Sequence, residues 1–319
     1  MDLSTIDPVA LFAGLVVAAT PLLFAAIGEL VVEKSGVLNL GVEGMMIIGA
    51  VCGFAAASNS GSPVVGFLAG AAGGAAISMI FAVLVLVFLS NQVATGLALT
   101  LFGLGLAALI GQPYTGIKPP DFEEVHVPVL SDLPVLGELF FQYDLVLYFG
   151  VAVVALVWLF LNRTRAGLVL RAVGENHDAA HSLGYPVVLI RFAAIGFGGA
   201  CAGLGGAYLS LVRVPQWTEG MTAGAGWIAL AIVVFATWKP WRVLLGAWLF
   251  GGVTILQLNL QASGFLSWLQ SLGIPAQAQY LSMAPYLVTI LVLVLISADR
   301  TRARLNAPAC LGRAFTAAG

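Results

Sequence analysis

Long apolar runs divided by short polar stretches make up almost the whole chain, and each run approaches or exceeds the roughly 20 residues that a helix needs to cross a bilayer. The first covers residues 9–32, with Pro21 as an expected kink. The second covers 38–57 and is closed by the turn Ser58-Asn59-Ser60-Gly61-Ser62-Pro63. The third, 64–89, carries Gly66, Gly70, Gly73 and Gly74, small residues that let membrane helices approach closely. The fourth opens at Asn91-Gln92 and runs to 110. Five further runs cover 144–161, 187–211, 221–238, 243–260 and 281–298. The pattern predicts an all-α, polytopic transmembrane bundle of about nine spans, folded as one domain over 1–319.

Charge gives the runs a direction. The longest polar insertion, 112–143, holds Asp121, Glu123, Glu124, Asp132 and Glu138 against the single cation Lys118. Cations gather instead at Arg163, Arg165 and Arg171, at Lys239 and Arg242, and at Arg300, Arg302, Arg304 and Arg313. Because basic loops stay in the cytoplasm, 112–143 is expected outside, with 163–186 and the tail 299–319 inside. Nine spans with the N-terminus out and the C-terminus in satisfy every cluster. The start of the chain has Asp2 and Asp7 but no Lys or Arg, so the first run reads as a retained helix rather than a cleaved signal.

Composition excludes most other classes. The 319 residues are 60% hydrophobic and 9% charged, with a mean hydropathy of +1.02, which no soluble two-domain protein would show. A net charge of -2 gives no reason to expect nucleic acid. Cys52, Cys201 and Cys310 are far apart and form no CxxC pair, so neither a disulfide framework nor a metal knuckle is indicated. His177 and His181 are spaced as a metal pair on a helix would be, but with no third ligand they read as two solvated loop histidines. No GxxxxGK[ST] loop is present.

Candidate chemistry concentrates in 33–50, EKSGVLNLGVEGMMIIGA, where Glu33, Lys34, Asn39 and Glu43 interrupt apolar sequence and Gly36, Gly41 and Gly44 disfavour a regular helix. A polar, broken segment at membrane depth must face protein, water or ligand. The alternative is a turn and a helix start. The candidates for a substrate path are Asn39, Glu43, Asn91, Gln92, Thr95 and Trp227, the last for stacking on a planar ring. Gln257, Asn259 and Trp217 read more simply as groups at the membrane surface. Glu43-Gly44-Met45 recurs as Glu219-Gly220-Met221, the echo that an inverted repeat of spans one to four in six to nine would leave. A second constellation, Gly174-Glu175-Asn176-His177-Asp178-Ala179-Ala180 with Gly184 and Pro186, predicts a short capped helix in a loop that faces water.

The 33–50 segment, together with NQVATGLALT (91–100), VPVLSDLPVLGELFFQ (127–142) and RTRAGLVLRAVGENHDAAHSLG (163–184), resembles the permeases of bacterial ABC importers. The likeness is to the shorter permease of nucleoside importers, within the branched-chain amino acid/ribose-type superfamily. His177 stands where the family commonly has proline, and Tyr185 where it has isoleucine. The resemblance implies a type II (BtuC-like) architecture and a bacterial inner-membrane location. It implies a second permease as partner, an ATP-binding subunit that holds ATP and Mg, and an extracytoplasmic substrate-binding protein. No cofactor and no covalent catalysis are implied for this chain. Gly174, Glu175, Asn176, Ala179, Ala180 and Gly184 then fall on the helix that couples to the ATPase. An importer of another neutral solute, such as a sugar or a flavin, fits the same pattern, and an ion-coupled secondary transporter would need a titratable intramembrane group such as Glu43.

Overall fold

The computed structural model describes residues 8–122, 137, 139, 141–263, 266, 270, 277–297 and 306–316. Apolar sequence without strand-forming alternation gives helices throughout the described residues. These are α1 (Pro8–Lys34), α2 (Val42–Ser60), α3 (Pro63–Leu86), α4 (Gln92–Gly111), α5 (Leu145–Arg163), α6 (Arg165–Glu175), α7 (His177–Ser182), α8 (Val187–Tyr208), α9 (Ala225–Phe235), α10 (Pro240–Ala262), α11 (Ala278–Ser282) and α12 (Ala284–Ser297). The punctuation is local chemistry. Gly61, at φ +69°, ends α2 by donating its N–H to Ala57 O. Asn91, Asp144, Thr164 and Asn176 cap α4, α5, α6 and α7 with side-chain oxygens. Pro63 and Pro240 occupy first turns, where a missing N–H costs nothing. α1 runs unbroken through Pro21.

Seven of the described helices are long and apolar enough to span a membrane: α1 to α5, α8 with the π turn Leu209–Arg213 that prolongs it, and α10. The run at 221–238 holds only the 11-residue α9, about 17 Å long at 1.5 Å per residue. It enters from non-helical residues 214–224 and leaves through Thr237 and Trp238, both at positive φ. The run at 281–298 holds α12, of 14 residues. Most of the acidic insertion (123–136, 138 and 140) and Arg300, Arg302 and Arg304 lie outside the described residues.

Packing does not follow chain order. α1 lies along α8 and α10 and against α9, yet hardly touches α2, which follows it. α8 likewise lies along α3, α1 and α2 and makes no comparable contact with α9. The first long helix of each half is thus housed in the other half. Bare backbone makes this possible. On α8, Gly199 and Gly203 lie against Gly70 and Gly74 of α3, Gly203 meets Gly49 of α2, and Gly206 meets the Met46 carbonyl. A Cβ on Gly28 would stand 2.6 Å from Cys201 Cβ and 2.9 Å from Gly198 O. The small residues predicted to permit close approach in α3 do so at Gly66, Gly70, Gly73 and Gly74.

Gly203→Ala should therefore force α8 away from α3, because the added methyl meets the Gly70 carbonyl and the Gly74 Cα at 3.1 Å. Overpacking of this kind costs about 1–3 kcal/mol and should lower the thermal midpoint of the purified protein. Gly105→Ala on α4, where nothing lies within 4 Å, should leave that midpoint unchanged or raise it.

Candidate functional site

Two interruptions in the helices face one another, and their backbone groups decide the chemistry here. The first is 35–41, between α1 and α2, where Gly36 turns the chain at φ +89°. Helix breaks at membrane depth leave amides that water cannot serve, and side chains from neighbouring helices serve them. Leu38 N donates to Gln92 Oε1 at 2.8 Å, and Asn39 N to Glu29 Oε1 at 3.3 Å. Asn39 Nδ2 reaches Glu29 Oε2 at 3.2 Å while its Oδ1 accepts from Gly41 N at 3.0 Å. Thr100 Oγ1 donates to Leu40 O at 3.2 Å. Asn39 is fully buried, and both ends of its amide bond within the chain.

The second interruption, 214–224, is closed by Glu43. Its Oε1 accepts from Thr222 Oγ1 at 2.5 Å and from Gly224 N at 2.9 Å, and its Oε2 from Gly226 N at 2.7 Å. Those amides are the unsatisfied first turn of α9, where the helix dipole also favours an anion. A carboxylate in the first turn of α2 thus caps a helix in the other half of the chain. Gly226 is required for the approach, since a Cβ there would sit 2.5 Å from the backbone of Glu43. Glu219 of the sequence echo is exposed and takes no comparable part.

At the arginine-rich end, α6 and α7 form the predicted capped pair, with Asn176 Oδ1 accepting from Ala179 N at 3.0 Å. Gly174 packs directly on the Lys34 carbonyl, Glu175 Oε2 accepts from Ala309 N at 3.4 Å, and Gly184 turns at φ +86°. The expectation of a wholly solvated loop is corrected in two places. Ala180 is buried against Val173, Val187 and Phe315, so its small size serves packing within this chain. His177 is buried too, with its ring edge on Phe315 and its Nδ1 3.1 Å from Arg191 Nη2. Arginine can only donate, so Nδ1 is the acceptor. Burial, and then the guanidinium beside it, lower the pKa of His177 and favour the neutral ring. The exposed residues here include Asp178, Ala179, His181, Ser182, Leu183 (78% exposed) and Tyr185.

Arg191 is fully buried in the first turns of α8. Its Nε donates to Ser35 O at 3.1 Å and its Nη1 to Arg313 O at 3.2 Å. The tail is fastened beside it by Cys310 N to Gly174 O at 2.9 Å and Gly312 N to Gly36 O at 3.1 Å. One cation therefore joins the first break, α7, α8 and the tail.

The other sequence candidates are more scattered. Asn91 is an exposed cap, and Thr95 shares a 2.8 Å hydroxyl bond with Ser90 beside an open groove of about 400 Å3 between α3 and α4. Gln92 is buried with its Oε1 engaged and its Nε2 without a partner. Trp227 is half exposed, next to the glycine that meets Glu43. Trp217 is not at a surface but buried on Gly111. Gln257 and Asn259 bond Ser282 Oγ and Ile255 O, and His126 lies outside the described residues. Glu29 was missed, although a lone acid within an apolar run was itself a signal. Trp238 Nε1 donates to buried Glu33 Oε2. A crevice of about 630 Å3 bounded by Phe149, Phe160 and Phe197 is lined by apolar side chains alone and offers a polar solute nothing to bond.

Glu43→Gln turns one acceptor into a donor facing an N–H. Losing hydrogen bonds to a charged group costs about 1.5–3 kcal/mol, and the variant should show a lower thermal midpoint and slower solute uptake. An unchanged midpoint would remove the capping role.

The chain matches, over residues 11–296, the family described as branched-chain amino acid transport system / permease component. It is 40% identical to a putative glucose ABC transporter permease of Haloferax volcanii, across 93% of this chain and 94% of the relative. It is 35% identical to a guanosine ABC transporter permease of Bacillus subtilis, across 92% and 93%. It is 34% identical to a nucleoside ABC transporter permease of Lactococcus lactis, across 89% and 90%. Haloferax volcanii and Bacillus subtilis each supply a second, more distant permease, at 28% and 24% identity. No solved structure matches. The chain belongs to the permease family of ABC transport systems, and it is a multi-pass membrane transport subunit rather than an enzyme.

Proposed function

We propose that this permease carries nucleosides into the cytoplasm across a bacterial inner membrane, as one of two unlike permease subunits. ATP and Mg are bound and hydrolysed by a separate ATPase, and an extracytoplasmic binding protein delivers the solute. The observation that carries the reading is the near full-length match to guanosine and nucleoside permeases. A pair of unlike permeases is supported by two organisms that each hold one nearer and one more distant relative. Nine spans, N-terminus out, in a type II arrangement, follow if α9 and residues 214–224 together complete one crossing and α12 crosses with its neighbours. The exchange of α1 and α8 between halves supports an inverted repeat.

In this reading Asn39 and Glu43 set the walls of the path by holding the two breaks, and the solute meets Gln92, Thr95 and Trp227. The unpartnered Gln92 Nε2 is a donor suited to a hydroxyl or ring nitrogen. The half-exposed Trp227 offers an aromatic face to a base. Asn91 fixes the start of the same helix. A sugar substrate is the second reading, favoured by the 40% identity to the putative glucose permease. At the other end, Ala179 with Leu183 and Tyr185 faces the ATPase. Gly174 and Ala180 support that face from behind, and the exposed Glu175, Asn176 and Gly184 lie at its edges.

Proteoliposomes holding both permeases and the ATPase, with the binding protein outside, should take up labelled guanosine only with ATP in the lumen that the ATPase faces, and excess glucose should not compete. Uptake of labelled glucose, with no uptake of guanosine, would replace the nucleoside reading by the sugar one.

Ala179→Trp should overpack the ATPase contact by about 1–3 kcal/mol, a loss of roughly fivefold to a hundred-and-fiftyfold in co-purification with the ATPase. The thermal midpoint of the isolated permease should not change. Ala180→Trp should instead destabilise the permease itself, because its site is already filled. Normal co-purification and normal substrate-stimulated ATP hydrolysis in Ala179→Trp would overturn the docking assignment.

A further inference from the structure

A second polar cleft, of about 460 Å3, opens where α1 and α5 end and α10 begins. Four cations line it, Lys34, Arg171, Lys239 and Arg242, with the rings of Trp158 and Trp241, and no acidic residue does. The carboxylates of Glu33 and Glu175, on the neighbouring elements, bond Trp238 Nε1 and Ala309 N instead. Among the described residues, Lys34 Nζ bonds the neutral Asn306 O, at 2.8 Å, and Arg242 Nη1 bonds Thr237 Oγ1, at 2.7 Å. Arg171 Nε is buried with no hydrogen-bond partner at all. Glu175 and Glu33 act on Lys34 from outside the cleft, but the four cations that line it still outnumber them and repel one another, and a buried unpaired donor on a charged group carries a full desolvation cost. Both are relieved by one anion with several acceptor oxygens.

We propose that this cleft binds the phosphodiester headgroup of an anionic phospholipid. Three helices of membrane-spanning length terminate around it, which puts it at the bilayer surface rather than in open solution. Trp158 and Trp241 line it, and tryptophan at a bilayer surface presents an apolar body to acyl chains and an N–H to headgroups. The Arg171 guanidinium supplies a planar fork that matches phosphate oxygens, and Lys239 and Arg242, both exposed at the rim, supply the attracting field.

The test is lipid retention by the full-length permease in neutral detergent, read by native mass spectrometry and by thermal midpoint, with phosphatidylglycerol, phosphatidylcholine or inorganic phosphate added. The parent protein should retain one phosphatidylglycerol in preference to phosphatidylcholine and unfold at a higher temperature with it. Each rim or cleft cation removed should weaken that preference about fivefold. Lys239→Gln, whose site is exposed and leaves folding intact, should show one such step, and Lys239→Gln with Arg171→Gln should lose the preference. Arg163→Gln with Arg165→Gln, exposed cations at the same end but outside the cleft, should keep it. Equal loss in that control would reduce the effect to general surface charge and overturn the site. Equal stabilisation by inorganic phosphate would assign the cleft to a free anion and overturn the lipid. No preference in the parent protein would overturn both.

Discussion

Inside a bilayer every backbone amide released from a helix must find a partner in the protein, since an unsatisfied group costs several kcal/mol there. This permease releases two sets, at 35–41 and at 214–224, and answers both with buried carboxylates. Glu29 holds Asn39, which in turn holds Gly41. Glu43 then begins α2 and closes on Thr222, Gly224 and Gly226. The two breaks are mutually dependent: the first places Glu43, and Glu43 completes α9. Packing of α1 and α8 into opposite halves brings the breaks together, and glycine-on-glycine contact makes that packing close enough.

From the first break the connections lead toward the arginine-rich end. Arg191 joins Ser35 to His177 at the start of α7, and the tail bonds both Gly36 and Gly174. A buried guanidinium without a carboxylate is an expensive way to fill space. It is well suited to binding three acceptors on three segments at once. Displacing α7 alone would strip Nη2 of its acceptor, so α7, the break and the tail are held to move as one piece.

What could be read from the sequence was whatever depends on near neighbours. Apolar run lengths gave the long helices, Asn176 and Asp144 gave helix starts, Gly61 gave a stop, and the glycines of α3 gave a close-packed face. The 35–41 break was also visible, in Gly36, Gly41 and the polar residues around them. Pairings across long separations were not. Nothing local reveals that Arg191 reaches Ser35, or that Ala180 lies under Phe315 in the tail. Asn39 and Glu43 were correctly singled out as anomalous in apolar sequence. Their hydrogen bonds to the chain itself required the fold to be seen.

The Glu43 cap also orders the making of the protein in time. Its partners lie 179 to 183 residues further along the chain. At synthesis rates of about 5–20 residues per second, the carboxylate waits roughly 9–37 s for the residues it caps to leave the ribosome. Throughout that interval Glu43 at the start of α2 lacks the Thr222, Gly224 and Gly226 partners that it has in the finished fold. The packing of the N-terminal half is therefore complete only once the C-terminal half has been made.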